Sequence, residues 1–218
     1  MDKNWEQLYA LQDWVLARLK ETEHRFYLTG GTALARGYFN HRYSEDLDFF
    51  VNDAPEFELW RDRCLDVLQR AAGPANLRLE IILREARYGR ATLHGAVPLK
   101  LEFINDVPFR VAEPWQHPSL GLLDTKENIL ANKISALVGR DEPKDLADIY
   151  WLCCRDKIGL SAAIENASGK AAGIFPPIIA EALVHGARKG VPRVFWREAP
   201  EEEEFKAGLE RLVSELLA

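Results

Sequence analysis

The stretch Phe26-Tyr27-Leu28-Thr29-Gly30-Gly31-Thr32-Ala33-Leu34, followed about fifteen residues later by Asp46-Leu47-Asp48-Phe49-Phe50-Val51, decides the fold of this chain. Residues 26–29 form a short apolar run that reads as a strand, and Gly30-Gly31 breaks it. Thr32 is a suitable cap for a helix over Ala33–Phe39. Residues 40–45 are a polar loop, and residues 46–51 are a second strand. Side chains alternate along a strand, so Asp46 and Asp48 share one face, their Cα atoms ~6.5–7 Å apart, while Leu47 and Phe49 point to the other. Aspartate is disfavoured in strands, so two of them interrupting a Leu-Phe-Phe-Val run point to a use that offsets the lost stability. Paired carboxylates can hold Mg²⁺, or Mn²⁺ in its place, and leave room for substrate phosphates. A site with two ions ~3.5–4 Å apart fits the same span. An isolated Asp-x-Asp is more often a solvated strand face, and a lone Gly-Gly before a helix is usually a tight turn. Here Gly30-Gly31 precedes the paired aspartates, so its backbone reads as a phosphate grip, with helix N–H groups facing an anion.

Outward from this core, residues 4–21 carry Leu8, Leu11, Val15 and Leu19 at helical period. Residues 56–72 place Phe57, Trp60, Cys64, Leu65 and Leu68 on one helical face. Three strands follow over 77–84, 90–94 and 97–104, with Gly89 and Gly95 at the turns. Lys100 and Glu102 share a strand face opposite Leu99, Leu101 and Phe103. Glu102 is a candidate third metal carboxylate if its strand lies beside the Asp strand, and an exposed Lys-x-Glu ion pair is the alternative. From Asp124 onward the pattern is helical, over 125–138, 144–154, 161–167, 177–187 and 202–217. The expected fold is α+β with a mixed, largely antiparallel sheet, in a catalytic domain over 1–120 and a helical domain over 121–218.

Composition narrows the function classes. A net charge of −6 argues against a general nucleic-acid coat protein, which gains affinity by releasing counterions at many Lys and Arg contacts. A confined basic surface fits, with Arg36, His41, Arg42, Arg188, Lys189, Arg193 and Arg197 as candidates. The run Glu201–Glu204 reads as a helix start favoured by the helix dipole. Cys64, Cys153 and Cys154 lack metal-ligand spacing and read as reduced core thiols. The scattered histidines disfavour zinc. The start of the chain lacks the features of a signal peptide, and no apolar run approaches ~20 residues, so a cytoplasmic protein without a membrane span is expected. There is no Gly-x-Ser-x-Gly, P-loop or Gly-x-Gly-x-x-Gly motif. The tryptophans read as core or interface residues and not as base-stacking platforms.

In the helical half, Lys133 and Arg140 lie two turns apart on one helix face, and Pro143 suits the first turn of the next helix. Lys144, Asp145 and Asp148 follow. Charges of both signs therefore gather at one helix-turn-helix corner, either as structural ion pairs or as functional groups.

Taken together, Leu28 to Leu34, Arg42-Tyr43-Ser44-Glu45-Asp46-Leu47-Asp48-Phe49, and Glu127 through Lys133, Arg140, Lys144-Asp145 and Asp148-Ile149-Tyr150 resemble the AbiEii-type nucleotidyltransferases. That family belongs to the polymerase-beta-like superfamily and supplies toxins of bacterial type IV toxin–antitoxin pairs. The resemblance implies a polymerase-beta-like core followed by a helical domain. It places Gly30, Gly31 and Thr32, with Arg42 and Ser44, at the nucleotide. It makes Asp46 and Asp48 the metal ligands and Lys133 and Asp148 the helical-domain residues needed for activity. The implied reaction is attack of an acceptor hydroxyl on the α-phosphate of a nucleoside triphosphate, with Lys133 offsetting triphosphate charge. The acceptor would be RNA, at the 3′ end of tRNA, and a cognate antitoxin would be a partner. Gly31 stands where many superfamily members have serine, so a hydroxyl contact to phosphate passes to Thr32 or is absent. A catalytically inactive nucleotide- or partner-binding module of the same fold is the alternative, against which the presence of Asp46, Asp48, Lys133 and Asp148 weighs. A glycosyltransferase using Asp-x-Asp on a nucleotide sugar fits the Gly-Gly helix and short core poorly.

Overall fold

The computed structural model describes residues 4–140 and 142–217, which divide into two compact units. The first takes the residues up to Ala33, 44–108 and 114–124, and the second takes 34–43, 109–113 and the residues from Thr125 onward.

The first unit is built on a seven-stranded mixed sheet in the order β3-β4-β5-β2-β1-β7-β6. Its strands are β1 (Tyr27–Thr29), β2 (Leu47–Asn52), β3 (Arg78–Arg84), β4 (Tyr88–His94), β5 (Pro98–Asp106), β6 (Trp115–His117) and β7 (Gly121–Leu123). The pairs β2–β5 and β1–β7 are parallel, and the other neighbours are antiparallel. The expected strands are present, with Asp46 standing just ahead of β2. β6 and β7 were not foreseen, and the sheet runs to Leu123, past the boundary expected at 120. Strands of three residues next to Pro114 and Pro118 are too short to show an alternating pattern.

One face of this sheet is apolar. Leu47, Phe49 and Val51 of β2, Leu99, Leu101 and Phe103 of β5, and Ala91 and Leu93 of β4 are all buried. The helix α1 (Trp5–Lys20) buries Leu8, Leu11, Val15 and Leu19 along the stripe read from the sequence, and α3 (Phe57–Ala72) buries Phe57, Cys64, Leu65 and Leu68. The Phe26 ring meets Phe57 at 5.8 Å and Phe103 at 5.1 Å, and Phe49 stacks on Phe103 at 5.3 Å. Each such side chain contributes about 1.5–3 kcal/mol on burial. The Asn4 side chain caps α1 by accepting from the Gln7 N–H at 3.0 Å. Gln12, wholly buried on α1, donates to the carbonyls of Ser44 and Glu45 at 3.0 and 3.2 Å, which ties the approach to β2 onto the helix.

The second unit is helical. It contains α4 (Lys126–Gly139), α5 (Pro143–Tyr150) running on as a π-helical turn (Trp151–Arg155), α6 (Leu160–Ser168), α7 (Pro176–Lys189) and α8 (Glu202–Leu217). Thr125 caps α4, and Glu202, Glu203 and Glu204 fill the first turn of α8, as the dipole favours. Gly208 lets α8 approach α5, because a Cβ there would stand 2.9 Å from the Tyr150 ring. The three cysteines are free and buried, and burial pushes the Cys64 thiol up to about 12 and those of Cys153 and Cys154 upward. They serve as packing groups, not as nucleophiles. Among the described residues no helix is long and apolar enough to cross a membrane.

His24 joins α1 to β1. Its Nε2 donates to the Leu19 carbonyl at 3.1 Å while its Nδ1 accepts from the Phe26 N–H at 3.0 Å, which needs the neutral ring. Burial lowers its pKa below the usual 6.5, against a smaller rise from the Leu19 contact. The unfolded chain therefore takes up the proton first on acidification, so the stability His24 contributes is complete above pH 6.5 and is lost as pH falls through the lower folded value. The urea midpoint should fall between pH 7.5 and 5.5, and His24→Gln should flatten that dependence. A slope equal in wild type and variant would show that other groups carry it.

Candidate active site

The chain leaves β1 through Gly30, whose φ of 70° lies in the left-handed region that favours glycine. A Cβ on Gly30 would stand 2.6 Å from Asp48 Oδ2, so the aspartate carboxylate lies directly against this glycine. The helix starts earlier than expected, with one α turn at Gly30–Thr32 (α2) that continues as a π-helix over Ala33–Phe39 into the second unit. Asn40, at φ 56°, ends it. Thr32 is thus inside the helix and not its cap. Its buried hydroxyl donates a short hydrogen bond to the Asp46 carbonyl, which directs it at the start of β2. Thr29 holds the N-cap position, and its hydroxyl donates to Asp124 Oδ2 at 2.5 Å. Ser44 is buried, and its N–H is bonded to the Tyr9 hydroxyl at 3.3 Å.

The polar face of the sheet carries the carboxylates. In the parallel register of β2 and β5, Asp48 is paired with Glu102, and across β4 Glu102 is paired with Arg90. Asp46 precedes the strand and is 23% exposed. The Lys100 ammonium lies 3.0 Å from Asp46 Oδ2 and 3.1 Å from Glu102 Oε2. Glu102 Oε1 accepts a short hydrogen bond from the Tyr88 hydroxyl, with Arg90 Nη2 at 3.0 Å. Partial burial raises the Glu102 pKa, but Tyr88, Lys100 and Arg90 outweigh it and hold the carboxyl below its usual range. Burial likewise works against the Lys100 charge, and Asp46 and Glu102 raise its pKa in spite of that.

This bears on metal binding. Asp46 and Asp48 supply the hard oxygen donors that Mg²⁺ takes, and Gly30 leaves no side chain of its own between Asp48 and the backbone turn, so the donor chemistry of the pair fits a divalent ion. Glu102 satisfies the condition set by sequence, since its strand does lie beside the Asp strand. Its oxygens are nonetheless engaged by Tyr88, Arg90 and Lys100, and among the described residues no three His, Cys, Asp or Glu groups converge as a metal site. Glu102 holds Lys100 in this arrangement.

In the second unit the charged corner is a buried knot. Asp148, wholly buried on α5, accepts from Arg42 Nε at 2.7 Å, Arg42 Nη2 at 2.6 Å, His41 Nε2 at 3.0 Å and Lys133 Nζ at 2.8 Å. Lys133 also donates to Asp145 Oδ1 at 2.8 Å, and Arg140 Nε reaches Asp145 Oδ2 at 2.8 Å. The His41 ring packs on Trp151 at 5.0 Å, and the Tyr43 N–H reaches the Phe195 carbonyl at 2.7 Å. Burial alone would raise the Asp148 carboxyl, but Arg42, Lys133 and His41 hold it well below the usual range. Its contribution to stability is therefore present at every pH above that range and is lost only in strong acid. Arg42 and His41, expected at the nucleotide or at RNA, are brought into this knot by their bonds to Asp148. Asp145 was named in the sequence only as part of the corner. The signal that could have singled it out is its spacing, one helical turn before Asp148 on the same face.

A strand, a Gly-Gly turn and a helix thus lead to a second strand that carries Asp48, with Asp46 just ahead of it. The sequence profile of the nucleotidyl transferase AbiEii toxin family, type IV toxin–antitoxin system, matches residues 14–215, and the chain belongs to this family of nucleotidyltransferases. MenT4, the nucleotidyltransferase toxin Rv2826c from Mycobacterium tuberculosis H37Rv, has the same fold, with a TM-score of 0.66 at 17% identity over 98% of this chain and 84% of that one. JHP933 from Helicobacter pylori does too, with a TM-score of 0.63 at 18% identity over 99% of this chain and 93% of that one. No curated protein sequence matches.

Lys133→Ala would leave two buried carboxylates short of a partner. Breaking such a buried pair costs about 3–5 kcal/mol, and at ~2–4 °C per kcal/mol for a chain of this size the melting temperature should drop by on the order of 10 °C. An unchanged melting temperature would mean that the ammonium is not held as described.

Proposed function

We propose that this enzyme uses Mg²⁺, or Mn²⁺, held by Asp46 and Asp48, to move a nucleoside monophosphate from a nucleoside triphosphate to a hydroxyl of RNA, at the 3′ end of tRNA, as the toxin of a pair with a cognate antitoxin. The observation that carries this reading is the contact of Asp48 with Gly30, which joins a carboxylate pair to a backbone turn that a phosphate can approach closely. A divalent ion bound there supplies charge neutralisation for the triphosphate and acidifies the attacking hydroxyl. The chain itself presents the Asp46 and Asp48 oxygens on one side and the bare backbone of Gly30-Gly31 on the other. In the transfer, the acceptor oxygen bonds to the α-phosphorus as the bond to the bridging oxygen breaks, and pyrophosphate and the hydroxyl proton leave. Lys133 and Asp148 support the reaction as members of the buried knot.

For the acceptor, the proposal rests on Arg188, Lys189, Arg193 and Arg197, which are exposed, and not on the buried His41 and Arg42. Phosphate contacts of this kind are salt-sensitive, with log affinity falling by roughly 0.7 per contact per log unit of salt on single strands.

Asp48→Asn should abolish transfer of labelled nucleotide while the melting temperature changes little, because the substitution removes a metal-binding charge at a partly exposed position. Retention of more than about a tenth of the wild-type rate, where loss of one preorganised electrostatic group typically removes ~10²-fold or more, would exclude Asp48 from the chemistry. In the same assay with total RNA, label should enter tRNA, decline steeply with salt, and weaken in the double variant Arg193→Glu and Arg197→Glu. Label in protein or a small metabolite with RNA untouched would overturn the acceptor.

A further inference from the structure

Lys100 sits where no role has been given to it. Its ammonium bridges Asp46 on one side and Glu102 on the other at 3.0 and 3.1 Å, and its side chain is 35% exposed. Glu102 in turn is fixed from behind by Tyr88 and Arg90 of β4. Two neighbouring strands, β4 and β5, therefore cooperate to hold one cation against Asp46, just ahead of β2. The contrast with Lys133 is direct, since that lysine is closed off between Asp145 and Asp148 and cannot leave without exposing buried charge. Lys100 can swing into solvent on its four-carbon stem.

We infer that Lys100 is the exchangeable counter-ion of the site: it neutralises Asp46 while no divalent ion is bound, competes with that ion for the carboxylate, and withdraws from Asp46 when the ion arrives, kept close by Glu102. The inference rests on the metal reading of Asp46 and Asp48. Its physical basis is that an ammonium and a divalent ion gathered on one carboxylate repel each other, so each weakens the other's hold on Asp46. Glu102 is then the resting place of the displaced charge, which accounts for an acid in register with Asp48 whose oxygens are turned to cations of its own sheet.

Two measurements on the whole chain test this, neither of them activity. Mn²⁺ binding, followed by the electron paramagnetic resonance signal of the free ion, should be roughly fivefold tighter in Lys100→Gln than in wild type, the equivalent of one partly exposed ion pair removed from competition. Lys100→Arg, which keeps the charge, should bind as wild type does. Equal or weaker Mn²⁺ binding by Lys100→Gln would overturn the role of Lys100 alone, whereas no Mn²⁺ binding by either form would overturn the metal site as well. In the unmodified protein, acetylation of Lys100 by an amine-reactive reagent, read by mass spectrometry, should increase when Mn²⁺ is added. Unchanged or reduced acetylation would overturn the inference even if the variants fail to fold.

Discussion

The parallel pairing of β2 with β5 sets everything else in the first unit. With Leu47 opposite Leu101 and Phe49 opposite Phe103, one face of the two strands closes into the core, and the same register puts Asp48 opposite Glu102 on the other face. A slip of one residue would turn carboxylates into the phenylalanine cluster and leucines into solvent, so burial of the apolar face specifies the polar one. The acidic groups are thus held without contributing stability themselves. Their placement comes from Phe26, Phe49, Phe57 and Phe103, which lie behind the sheet.

This dependence explains what could be read in advance. Alternation of apolar and polar residues along 46–51 and 97–104 gave the strands and the two faces, because each strand is long enough for the period to show. The helical stripe of α1 was legible for the same reason. What a strand pairs with is not written in its own pattern, so the neighbourhood of Glu102 could only be stated as a condition. The short strands β6 and β7 offered no period at all. The Gly30-Gly31 turn was recognisable, but the earlier helix start and the inward aim of the Thr32 hydroxyl depend on Asp46 and Asp48 being packed against it.

Charge was the hardest thing to read. Residues 40–45 look like a solvent loop, and His41 and Arg42 look like surface cations, yet both are buried. Their partner Asp148 lies more than a hundred residues further along the chain, so no local window contains the pair. Lys133 has the composition of a phosphate-binding residue, and only the presence of both Asp145 and Asp148 shows that its charge is already matched. The stretch after residue 155 takes part here too, since the backbone around Phe195 and Trp196 pairs with Arg42 and Tyr43.

The two lysines that meet carboxylate pairs show how burial divides structural charge from functional charge. Around Lys133 the ions are inside the fold, where removing one partner leaves a desolvated charge and the pair resists exchange. Around Lys100 the same kinds of atoms at nearly the same distances are partly exposed, so water screens them more than the sealed pair and an incoming ion can reach Asp46. Distance alone would rank these contacts as equals. Exposure separates them: the sealed pair fixes helices, and the open one can give up its aspartate to a better cation.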